Sequence, residues 1–240
     1  MGPFTFHASF PVGDRLVATT GLDRLELELR RVLALTPCEE SIDVYVSRDA
    51  REHRALLAER CPGTPYRRAI FYRRAGRASV FTYHHNELAI DLRHEATHAL
   101  LHADLPMVPL WLDEGLAEYF EAPQPRRAQG LDDRLGRVVE AARRGVVPDL
   151  RRLEERRELS DFSGRDYRDA WAWTHFLLHG PREATSELWA MLAALRRWEP
   201  PGTLSERLAK ALPDPRRSFV RHFDRWPGVL HAARAGSPRR

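Results

Sequence analysis

The sequence predicts an α+β protein. Strand-period segments crowd into its first third, helix-period segments fill everything after residue 87, and no repeat or long low-complexity linker intervenes. Residues 4–10 (FTFHASF) alternate apolar and polar positions, as a half-buried strand does. Residues 21–35 put Leu22, Leu25, Leu29 and Val32 or Leu33 on one side of a helix. Residues 42–46 (IDVYV) read as a short strand, and 48–60 as a helix closed by the Cys-Pro-Gly turn at 61–63. Residues 70–73 and 79–83 flank Arg-Ala-Gly-Arg at 74–77, the pattern of a hairpin. A long helix follows over 87–102, stopped near Leu105 and Pro106. A second over 111–121 is ended by Pro123 and Pro125. Helices over 131–144, 167–179, 184–198, 203–212 and 216–225 complete the C-terminal half. Within them Trp171, Trp173 and Phe176 recur at the intervals of packing residues. The expected organisation is an α+β lobe over 1–125, a helical lobe over 126–235 and a disordered tail over 236–240.

Composition narrows the function classes. With 240 residues, a hydrophobic fraction of 43% and six Trp, the chain can build a real core despite a charged fraction of 30%. The 38 basic and 34 acidic residues leave a net charge of only +4, which gives no argument for a nucleic-acid or membrane-surface partner. Arginines alternate with acids along the helices, the pattern of solvated faces laced with ion pairs. Cys38 and Cys61 share no CxxC spacing and belong to no ligand cluster, so a disulfide framework is not expected. No segment approaches the roughly 18 apolar residues of a membrane helix. The opening MGPFTFHASFPVGDR lacks a basic stretch followed by an apolar one, so cytoplasmic residence is the expectation. Oligomeric state is not legible.

The chemistry sits at residues 94–98, His-Glu-Ala-Thr-His, inside a predicted helix. Positions i and i+4 share a helix face, so His94 and His98 can aim two imidazoles at one ion. Glu95 stands beside that face, placed to reach a water on the metal rather than the metal itself. A catalytic zinc takes three protein ligands and keeps a fourth position open. His102 is one more turn along, but three ligands in line on a straight helix diverge by about 6 Å per step. His84 and His85 close a strand and read as loop residues.

Trp111 to Phe120 reads WLDEGLAEYF, and here the sequence resembles the gluzincins, the thermolysin and aminopeptidase branch of zinc peptidases. That resemblance implies Glu114 as third zinc ligand. It also implies Glu118, one turn on, as acceptor for a ligand histidine's spare N–H. Gly115 is expected to let this helix approach the histidine helix closely. The rival metzincin pattern asks for Gly and then His or Asp where Leu101 and Asp104 stand. Leu101 resists the sharp turn, and Asp104 stays as an alternative ligand. In the aminopeptidase-like enzymes a Tyr opening a later helix, in a Tyr-x-Lys-Gly setting, stabilises the oxyanion. Tyr167 stands at a comparable remove, with Asp169-Ala170 in place of Lys-Gly. By the same likeness the 79–83 strand, just before the metal helix, is expected at a sheet edge, pairing with extended substrate. The Gly-x-Met-Glu-Asn element that grips a free amine is absent, so aminopeptidase activity is not implied.

DLRHEATHALLH followed by LPMVPLWLDEGLAEYFE is similar to an uncharacterised bacterial family of peptidase-MA-like domains, DUF1570. The likeness spans about 43–121 and 167–178. It implies a zincin-like fold: a small mixed sheet packed on the HExxH helix, then a helical lobe forming the other wall of a cleft. The expected function is hydrolysis of peptide or amide bonds in a peptide or protein substrate, with Zn2+ on His94, His98 and Glu114, Glu95 as general base and Tyr167 as oxyanion donor. The alternative is a catalytically quiet zinc-binding module that recognises a protein partner.

Overall fold

The computed structural model describes residues 2–11, 20–131 and 133–226. They form an α+β structure with one four-stranded mixed sheet. The chain divides into two compact units. The first is Met1–Met107 with Phe120–Pro123; the second is Val108–Tyr119 with Gln124–Arg240.

In the first unit the order is β1 (Phe4–Ala8), α1 (Leu22–Leu33), β2 (Ile42–Ser47), α2 (Ala50–Arg60), β3 (Ile70–Arg74), β4 (Arg77–Tyr83) and α3 (Leu88–Asp104). The strands stand in the order β1-β2-β4-β3. β1 and β2 are parallel, as are β2 and β4, while β3 and β4 form the expected antiparallel hairpin. Its two-residue turn holds Ala75 and Gly76 at φ 49° and 78°, the doubly left-handed geometry whose twist suits a tight hairpin. β2 is buried almost throughout, as a strand flanked on both sides must be.

One expectation is overturned here. Residues 79–83 lie within β4, which pairs with β2 from Ile42↔Ala78 to Ser47↔Tyr83 and with β3 on its other side. A strand with both ladders occupied cannot accept an added one, so the edges are β1 and β3. On α1, Leu22, Leu25, Leu29 and Leu33 are the buried face; Leu33 rather than Val32 completes it. Asp49 caps α2 by accepting from the amides of Arg51 and Glu52. α3 packs on β3, β4 and α1, burying Leu88, Leu92, Ala96, Ala99, Leu100 and Leu101. Both cysteines are free thiols, Cys61 packed with Leu57 and Phe81.

The second unit is helical: α4 (Leu110–Phe120), α5 (Arg134–Arg143), α6 (Leu150–Glu154), α7 (Gly164–His179), α8 (Arg182–Arg196), α9 (Leu204–Ala211) and α10 (Pro215–Asp224). The five-residue α6, capped by Asp149, was missed because one turn shows no periodicity. α7 begins at Gly164, so Tyr167 sits one turn inside it rather than opening it. The start is fixed by Ser163, whose hydroxyl accepts from the Asp166 amide while Asp166 accepts from the Ser163 amide. Trp171 and Trp173 are buried, as expected of packing residues.

At the centre of this unit lies a group of histidines and one tyrosine. His175, fully buried, gives Nε2–H to the Ala128 carbonyl at 3.0 Å and accepts from His222 Nε2 on Nδ1 at 2.9 Å. The Tyr119 hydroxyl and His179 Nε2 share a hydrogen bond at 2.6 Å. α4, α7 and α10 are thus joined through uncharged rings. No helix among the described residues is long and apolar enough to cross a membrane. The tail expected from Gly236 lies outside the described residues.

Candidate metal site

α3 is held from several directions before any ligand is considered. Arg93, almost wholly buried, donates to the carbonyls of Phe120 at 3.0 Å and Gly21 at 3.1 Å and pairs with Glu28 at 2.8 Å. A buried guanidinium is stable only with such partners, so it fixes the register and tilt of the helix beside it. His94 and His98 follow on one face, ring centroids 5.0 Å apart and nearly perpendicular. His98 is buried and His94 half-buried.

Glu121 Oε2 lies 3.0 Å from His94 Nδ1. A carboxylate acceptor there places the proton on Nδ1 and the lone pair on Nε2, the tautomer in which metal-binding histidines are held. Sequence reasoning named Glu118 for such a role and passed over Glu121. The helical reading over 111–121 could have suggested it, seven residues beyond Glu114, although α4 ends at Phe120 and Glu121 lies just past it. Glu118 forms a close ion pair with Arg134, which no sequence pattern indicated.

Glu95 lies beside the two histidines in sequence but turns to the sheet: its Oε2 accepts the Phe71 amide of β3 at 2.6 Å. The other histidines have separate surroundings. His102 stacks on Phe71 at 5.8 Å, His84 meets Phe10 edge-on at 5.8 Å, and His85 pairs with Asp91 at 3.2 Å. Asp104 accepts the Thr36 hydroxyl at 2.5 Å.

On α4, Asp113, Glu114 and Glu118 are all buried or nearly so. Gly115 stands against α7: a Cβ there would collide with Thr174 Oγ1 and lie 2.7 Å from the Ala170 carbonyl oxygen. The close approach that the glycine permits is real, but its partner is the later helix. Tyr167, half-buried, packs edge-on against Phe162 at 5.3 Å and lines a cavity with Arg134, Arg137 and Arg168.

Among the described residues, two groups of His and Glu could hold a metal ion: His94, His98 and Glu114, and His94, Glu118 and Glu121. In each, one ligand atom per residue lies within 4.8 Å of the others. The first set offers two imidazoles and a carboxylate, a donor set that suits zinc. In the second, Glu121 already engages His94 Nδ1 and Glu118 engages Arg134. Asp104, His102, His84 and His85 belong to neither group.

Residues 89–200 match the family model described as "Protein of unknown function (DUF1570)". The match takes in α3 from its second residue, α4, and α5 to α8. The likeness read from the motifs therefore rests on more than two short segments. No curated protein matches the chain.

Proposed function

We propose that this protein is a zinc-dependent hydrolase of peptide or amide bonds, zincin-like in fold and gluzincin-like in its ligands. His94, His98 and Glu114 would hold the ion. The observation that carries the reading is the pairing of two histidines one turn apart on a clamped helix with a carboxylate, Glu121, on the Nδ1 of the first. A structural histidine pair has no need of a carboxylate that frees Nε2, whereas a ligand pair does. The donor set, two nitrogens and one oxygen, fits a catalytic zinc that keeps one position for solvent or substrate.

Bound zinc supplies Lewis acidity, which acidifies water and polarises a carbonyl. The chain's own groups do the rest. Glu95 takes a proton from the attacking water and passes it to the leaving nitrogen, for which it must exchange the Phe71 amide for water. Glu121 keeps His94 in one tautomer and one orientation. Tyr167 is the proposed donor to the oxyanion; it lines a cavity together with Arg134, Arg137 and Arg168.

Metal analysis and cleavage of a broad peptide library test this together. The purified chain should carry about one zinc; none would overturn the reading. Glu114→Ala should lose the metal, whereas retention there with loss in Asp104→Ala would move the third ligand. Glu95→Gln should keep zinc and stop cleavage. A Glu95→Gln protein that cleaves as the parent does would remove the hydrolase and leave a zinc-holding recognition module.

A further inference from the structure

Beside α10 the second unit has a cavity of about 330 Å³, lined by Pro181, Ser218, Arg221, His222, Arg225 and Trp226. That is the small end of the range for ligand-binding cavities. Ser218, Arg221 and His222 share one face of α10, and Arg225 stands at its C-terminal cap. Trp226 is held by ring contacts to His175, His179 and His222, with centroids 4.6, 5.1 and 5.3 Å away.

What His222 offers is dictated from the buried side. The Ala128 carbonyl only accepts, so His175 keeps its proton on Nε2 and a lone pair on Nδ1. His222 Nε2, 2.9 Å from that lone pair, must donate to it. Burial keeps both imidazoles uncharged near neutral pH, so the remaining lone pair of His222 falls to Nδ1. Among the described residues no donor is hydrogen-bonded to that nitrogen. Arg221 and Arg225 are exposed, and neither guanidinium has an ion pair or hydrogen bond among the described residues. No acid lines the cavity, and Asp224, next to Arg225 in the chain, lies 3.6 Å from Arg143.

These groups define a ligand. Two guanidinium forks call for an anion, the imidazole lone pair calls for an N–H, and the indole and proline call for an apolar body. A phosphate dianion meets the first demand alone and sets acceptor against acceptor at the ring. A carboxylate with an amide N–H on the adjacent carbon meets both. We propose that this cavity binds an N-acylated amino acid with an apolar side chain, either free or as the last residue of a peptide. The site lies wholly within the second unit and is independent of the zinc reading.

The test is calorimetric titration of the full-length protein at about pH 8, where inorganic phosphate is a dianion. The probes are N-acetylphenylalanine, its carboxamide, its N-methylated form without the N–H, acetyl-Ala-Ala-Phe, and inorganic phosphate. N-acetylphenylalanine should bind at least about tenfold tighter than the carboxamide, as charge-assisted hydrogen bonds require. It should bind about three- to tenfold tighter than the N-methylated form, the worth of one neutral hydrogen bond. Arg221→Ala and Arg225→Ala, both at exposed positions and therefore mild for the fold, should each remove most of the first preference and keep the second. Arg51→Ala, at an exposed position on α2, should change neither. Either order of acetyl-Ala-Ala-Phe and N-acetylphenylalanine supports the site, the tighter one being its natural form. Absence of binding, equal binding of the N-methylated form, phosphate that binds as tightly, or a carboxylate preference that survives both arginine substitutions overturns the proposal.

Discussion

The Glu121 carboxylate sits 3.0 Å from His94 Nδ1 and so selects one tautomer of that ring. Without it the His94 ring could carry its proton on either nitrogen and pivot about χ2; with it, the proton is committed to Nδ1 and the lone pair to Nε2. Glu121→Ala should therefore weaken zinc binding about 10- to 100-fold in competition with a chelator, and Glu121→Gln, whose amide oxygen still accepts, by less. Unchanged affinity in the alanine variant would show that the ring is oriented by something else. The carboxylates at 114 and 118 were legible from helical spacing; Glu121, one residue past the end of α4, was not read. Which of them takes a histidine and which an arginine was not legible either, because Arg134 is brought to Glu118 by the folding of a later helix.

Among elements, the contact of α4 with α7 is the most sharply constrained. At Gly115 the space for a methyl group is already filled by Thr174 and by a backbone carbonyl, which cannot swing aside. Gly115→Ala gains about 1 kcal/mol of helix propensity yet should lose about 1–3 kcal/mol to overpacking. A net fall in the urea midpoint checks this; a rise would mean that the two helices part easily. The glycine was visible in the sequence as a sign of close approach, but the identity of the neighbour was not. The same division holds in the sheet. The hairpin at 70–83 is a local object, announced by Ala-Gly between two apolar runs, and it formed as read. The placing of β2 beside β4 joins segments far apart in the chain, and no periodicity encodes it. For that reason the strand assigned to the edge proved to be internal.

At the scale of the whole molecule, acid is the informative perturbation. Burial drives His222 down to about 4, lowers His175 well below 6.5 with the neighbouring His179 and His222 adding to the effect, and lowers His179. Burial likewise pushes the Tyr119 hydroxyl up to about 12, so it stays protonated. The unfolded chain binds protons at these imidazoles near 6.5, before the folded chain does. Stability is therefore whole above pH 6.5, declines as pH falls from there towards about 4, and levels off once the folded rings are charged too. Asp166, held below its usual 3.8 by the Ser163 cap and Arg152, adds its own loss only beneath that value. Urea midpoints of the parent across this window should slope, and His222→Asn should flatten the slope; a flat parent would show that the rings already carry charge. Helical content and strand positions were readable because they are periodic, whereas these histidines looked like scattered residues until α4, α7 and α10 met. β3 is one of the two edge strands of the sheet. Its Phe71 amide is satisfied from within by Glu95, and Arg73 is tied to Glu40 alongside. A neighbouring chain seeking an open ladder finds no bare donor at that position and a fixed cation next to it. That edge of the sheet is thereby guarded against templated self-association around Phe71.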